Sequence, residues 1–103
     1  GGIINWNQPC TQIEQFVRAF TFPPHPYAKS FCGGHELQFL PFADIDSSSQ
    51  LSPGEFEYSS TEIKVGGSDG ALSFTNFIHN RQTIDATAAS QLIGIHGRFH
   101  ENT

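Results

Sequence analysis

Five histidines, two cysteines and ten carboxylates are the side chains here that could do chemistry. Their spacing decides what kind. His96 and His100 stand four apart, the interval that would set two imidazoles on one helix face for a metal, but Gly97 between them argues against a continuous helix. His25 lies among prolines, His35 follows a glycine turn and His79 ends a strand-like run, so these three read as loop or structural positions. Cys10 falls where a helix begins, a place that lowers a thiol pKa, yet no base accompanies it. A Cys10–Cys32 bridge needs a Cα separation that sequence does not give, and two reduced thiols are the simpler reading. Ser47, Ser48 and Ser49 lie in a polar loop with no histidine arranged beside them. Glu55 and Glu57 alternate on one strand face, as solvated carboxylates do more often than an acid/base dyad. Gly66-Gly67-Ser68-Asp69-Gly70 leads to no helix N-terminus and reads as a hairpin turn, not a phosphate loop. No catalytic, cofactor-binding or metal-binding residue is assigned.

The elements that would position these groups follow from pattern. A chain of 103 residues makes one domain with a single core, and ten phenylalanines without a methionine point to an aromatic core. Ten glycines and six prolines favour short strands and turns. Ile4 and Trp6 alternate with Asn5 and Asn7 in an extended lead (residues 1–6). A helix is expected over residues 7–20, with Asn7 as N-cap, Pro9 in the first turn and Ile13, Phe16, Val17 and Phe20 as its apolar stripe. Pro23-Pro24 prevents its continuation. Barrel strands are expected over residues 27–78: a hairpin through Gly33-Gly34 into one run from His35 to Ile45, an exposed loop at 46–53 that the fold could lose cheaply, and a second hairpin whose last strand runs from Ala71 to Phe77. Asp85 caps a short helix over 85–93, Gly94 closes it in the left-handed region, and the tail holds one more extended stretch.

Ten acidic against five basic residues give a net charge of −5, and the basic residues are scattered, which argues against a nucleic-acid partner. No apolar run approaches a membrane span. With no CxxC and no signal-like apolar segment, the cysteines point to a cytoplasmic protein. The start at Gly1-Gly2 without an initiator Met reads as an excised domain.

Several segments, taken in order, resemble the C-terminal domain of the formyltransferase family, which includes methionyl-tRNA, 10-formyltetrahydrofolate and sugar-nucleotide members. Gly2-Ile3-Ile4-Asn5-Trp6 is similar to its G-x-I-D-W opening, Ile13 with Arg18-Ala19-Phe20 to its I-x-x-x-x-R-A helix, and Pro24-His25-Pro26-Tyr27-Ala28 to its P-x-P-G-A segment. Pro53-Gly54-Glu55, Ile63 to Gly70, and Asp85-Ala86 with Leu92-Ile93-Gly94 match further pieces. The resemblance implies an open OB-like Greek-key barrel with a packed N-terminal helix. It also implies an N-terminal catalytic domain as partner, which would use 10-formyltetrahydrofolate through an N-x-H-x-S-L-L-P motif that these residues lack. This domain would then be non-catalytic, helping to place the acceptor or making domain or homodimer contacts, with no cofactor of its own. Tyr27 stands where the family has glycine, and the acidic balance removes the positive surface of tRNA-modifying members. The alternative is a stand-alone OB-like binding module that holds a small ligand or protein on a face around Trp6, Phe22, Tyr27 and Lys29. The usual preference for burial favours simple core and linker packing of those aromatics over that reading.

Overall fold

A computed structural model describes residues 2–21, 26–41 and 43–102. The first element, α1 (Cys10–Ala19), buries Cys10, Ile13 and Val17, while Phe16 and Phe20 pack half-buried at its flank with ring centroids 4.8 Å apart. The apolar stripe is legible in sequence, but the cap is not. The helix starts at Cys10 with Pro9 at the cap position and no side-chain cap of its own, so Asn7 does not cap it. Instead the Cys10 N–H donates to Asp69 Oδ1 at 2.9 Å, and the Ser68 N–H donates to the Gln8 carbonyl at 2.9 Å. A hairpin tip far along the chain thus supplies the acceptor that a helix N-terminus requires. The Pro23-Pro24 stop lies outside the described residues, and α1 has already ended at Ala19, where Thr21 Oγ donates to the Val17 carbonyl at 3.1 Å.

The strands β1 (Lys29–Cys32) and β2 (His35–Phe39) form the expected hairpin. Gly33 and Gly34 both take positive φ, +57° and +83°, the two-residue turn whose twist matches the strands. The expected single run from His35 to Ile45 is two strands in two sheets: the chain bends after Phe39 and continues as β3 (Asp44–Asp46), which leaves Ile45 44% exposed. The same correction applies to the run from Ala71 to Phe77, which divides at Thr75 into β6 (Ala71–Phe74) and β7 (Asn76–His79). Between these lie β4 (Glu55–Ser59) and β5 (Glu62–Gly66). After β7 the chain forms β8 (Gln82–Asp85), α2 (Ala86–Ile93) and β9 (His96–Arg98). The turn between β7 and β8, Asn80-Arg81, has φ of +51° and +67°, and the residues around it pair as a hairpin, so β8 extends the strands beyond the expected limit of residue 78. Asp85 caps α2, its Oδ1 accepting from the Ala88 N–H at 2.8 Å. Gly94 has the positive φ expected, +94°, but its ψ of 174° is extended and not left-handed helical.

Two antiparallel sheets result, β1-β2-β7-β8 and β3-β6-β5-β4-β9. The bent runs β2/β3 and β6/β7 pass through both sheets, and the other seam is joined where Phe31 and His100 exchange N–H···O bonds of 3.0 and 2.8 Å. The product is a small, β-rich, open barrel-like fold with α1 against β6 and α2 against β4, β5, β7 and β8. Its core is aromatic. Phe39 stands at the centre, with ring centroids 4.9 Å from Phe74, 5.3 Å from Phe77 and Phe99 and 5.4 Å from Trp6, all near edge-to-face. The serine loop is less detachable than expected. Its Leu51 and Ser52 carbonyls lie so close to Gly66 that a Cβ there would collide with Ser52, so the loop backbone packs directly on β5.

Candidate functional site

Trp6 is 5% exposed, stacked on Phe99 with centroids 6.0 Å apart, and its Nε1 donates to Ser30 Oγ at 3.1 Å. Ser30, itself buried, donates its hydroxyl proton to the His100 carbonyl at 3.0 Å. This chain of bonds ties the leading segment to β1 and to the seam, and it answers the one polar need of a buried indole. Trp6 is therefore a core side chain, and only its rim meets a shallow pocket of about 220 Å³ beside Pro53, Gly54, His100 and Glu101. Tyr27 and Lys29 do not line that pocket, while Lys29, half-buried, places Nζ 4.0 Å from Glu36 Oε1. Phe22 lies outside the described residues, as does His25. The four residues named from sequence are thus not shown gathered on one ligand face.

Other chemical candidates resolve into structural roles. Cys10 and Cys32 are both free. Burial, and next the Asp69 carboxylate beside it, push the Cys10 thiol up to about 11, opposite to the lowering that a helix start alone would give. Burial likewise raises Cys32. The Asp69 carboxyl is held below its usual range, chiefly by the Cys10 N–H and then by the Cys10 thiol. Ser48 serves Asp46, donating its hydroxyl at 2.7 Å and its N–H at 3.0 Å to Oδ1, while Lys64 Nζ meets Oδ2 at 3.0 Å. These bonds, the Ser48 hydroxyl first, lower Asp46 to about 2, and Asp46 in turn raises Lys64. Glu55 Oε1 accepts from the Ser52 N–H at 2.8 Å, a loop clasp rather than half of a dyad. His96 lies on β9 and His100 follows in extended chain, so four residues separate them by ~13 Å along the strand.

A cleft between the tips of two hairpins brings polar groups together. Glu36 and Gln38 from β2 and Ile78 from β7 line it, with Asn80 and Arg81 at the far turn. Gly34, His35 and His79 complete it, the two imidazole rings 5.7 Å apart and tilted by 59°. Its volume is about 550 Å³. Sequence reasoning misses it because the strands that carry it end in what read as ordinary turns. The paired turn signals, Gly33-Gly34 and Asn80-Arg81, are the trace that could have found it.

Charge on the surface is distributed without a positive patch. Arg18 pairs with Glu14 at 3.3 Å, Lys64 with Asp46, Lys29 faces Glu36, and Arg98 donates to the Pro53 carbonyl at 2.6 Å. Arg81 is the fifth cation of a chain whose net charge is −5.

Comparison with known proteins fits this architecture. A relative, the methionyl-tRNA formyltransferase of Pseudomonas entomophila (strain L48), is 36% identical over 73 residues, which cover 70% of this chain and 22% of that protein. The match thus spans just over a fifth of the relative's length. A family described as formyl transferase, C-terminal domain, matches residues 1–91. The chain belongs to the formyl transferase C-terminal domain family.

Proposed function

We propose that this domain is the non-catalytic accessory part of a 10-formyltetrahydrofolate-dependent formyltransferase, and that the acceptor it serves is not tRNA. Its role is to help place the acceptor or to make contacts with the catalytic domain or a second protomer. The observation that carries the acceptor argument is electrostatic. On a chain of net charge −5, four of the five cations already face carboxylates or a carbonyl of the same domain. A polyanion held by counterion release needs clustered, available cations. Family membership supports the accessory role, as does the use of Cys10, Ser48 and Glu55 in holding local structure.

The folate cofactor belongs to the inferred catalytic domain. The residues here do not fit it: the cleft is open and polar and lacks the apolar walls a flat bicyclic ring requires. The relative named above acts on methionyl-tRNA by its name, so tRNA binding is the discriminating experiment, with no saturable binding expected for this chain. A second reading, a small-ligand binding module, is favoured by the polar cleft and does not depend on Trp6.

A further inference from the structure

We propose that the cleft between the β1–β2 and β7–β8 hairpins binds a neutral polyhydroxylated ring, a monosaccharide or the end of a short glycan. This does not rest on the accessory-domain reading.

The main chain supplies the first argument. The ladder between β2 and β7 stops at Gln38 opposite Ile78, although β1–β2 runs on to Cys32 opposite His35 and β7–β8 to His79 opposite Gln82. In a two-residue hairpin the pair flanking the turn exchanges both bonds, and bonded pairs alternate from there. His35 and Leu37 therefore turn their main-chain groups to β1, and His79 turns its own to β8. Glu36, the next residue of β2 to face β7, points its main-chain groups beyond the last pair of that ladder. Its N–H and C=O thus face the cleft rather than a strand partner.

The side chains supply the second. The Glu36 carboxylate accepts, the Arg81 guanidinium donates, and the Gln38 and Asn80 amides do both. Planar groups with paired edges suit vicinal hydroxyls, each of which donates and accepts. Gln38 Nε2 already lies 3.4 Å from Glu36 Oε2, which sets the two side chains beside one another. Ile78, on the sheet face that carries Glu36 and Gln38, offers an apolar patch to the C–H face of a ring, while His35 and His79 stand on the opposite face at the rim.

Charge supplies the third. The single Glu36 carboxylate stands against Lys29 and shares the cleft with Arg81. A carboxylate inside the cleft opposes a phosphate beside it, and the acidic chain repels anions at longer range. The volume, about 550 Å³, lies within the usual range of small-ligand sites, ~300–1,000 Å³.

The test is a titration of the 103-residue chain with glucose, N-acetylglucosamine and inorganic phosphate, read by amide chemical shifts. A sugar should give saturable shifts concentrated at Gly34, Glu36, Asn80 and Arg81, and phosphate should leave them unmoved. Gln38→Ala should weaken binding about tenfold, with the rest of the spectrum preserved. Absence of saturable shifts with both sugars, shifts away from the cleft, or equal shifts from phosphate would overturn the proposal. If the variant fails to fold, the pattern of shifts in the wild-type chain decides by itself. Neither catalysis nor tRNA enters the readout, so failure here leaves the accessory-domain reading standing.

Discussion

Replacing Phe39 by alanine removes the ring on which Trp6, Phe74, Phe77 and Phe99 converge. Rings fixed in two sheets cannot collapse into that space, so Phe39→Ala should cost ~3–5 kcal/mol, measured by denaturant unfolding. Asp46 sets a second expectation at this scale. Its folded pKa, about 2, lies below the unfolded value of roughly 3.9. The unfolded state therefore binds the proton first as pH falls. The stability Asp46 contributes is full above about pH 4 and is lost as pH falls toward 2. Lys64 runs the other way. Its raised pKa gives stability that is present below its unfolded pKa and is lost as pH rises through the folded one. Asp46→Asn should shallow the acid limb of a thermal-stability profile, and an unchanged limb would contradict this account.

Among the elements, the junction of α1 with the β5–β6 hairpin governs how the helix is held. Asp69 caps Cys10, and Ser68 holds Gln8. Asp69→Ala should lower the melting temperature and speed alkylation of Cys10, whereas Asp69→Asn, which keeps an acceptor oxygen but loses the charge beside the thiol, should restore much of the melting temperature and less of the thiol's protection. Equal melting temperatures of the two variants would remove the cap from the explanation. This junction also shows what sequence can and cannot reveal. The α1 stripe, the Gly33-Gly34 hairpin and the Asp85 cap rest on neighbours in the chain, and they are readable. The Asp69 cap spans 59 residues, and a local pattern cannot report it. The bends after Phe39 and at Thr75 are hidden for a related reason. Alternation continues through a bent strand, but the sheet that receives its second half is set by partners elsewhere, so Ile45 surfaces despite its place in the pattern. The cleft depends on where a ladder stops, which again is a property of two distant strands.

At the scale of the whole molecule, the chain is an acidic barrel-like domain in a family whose relative here is more than four times the length of the matched stretch. Trp6 fixes the leading segment into the core through Ser30 and the seam. Sequence alone offers Trp6 a place at the core edge ahead of a ligand face, and its burial agrees with the former. The particular space it fills, among Phe39, Phe74 and Phe99, is what composition does not describe. The charge argument is fully legible in sequence, and the ion pairs strengthen it by engaging the cations that a polyanion would need. The central claim, an accessory domain for a formyl acceptor other than tRNA, meets its most direct test in the binding of tRNA to this chain across a salt series. The account predicts no saturable binding even at low salt. Tight binding that weakens steeply as salt is added would contradict it.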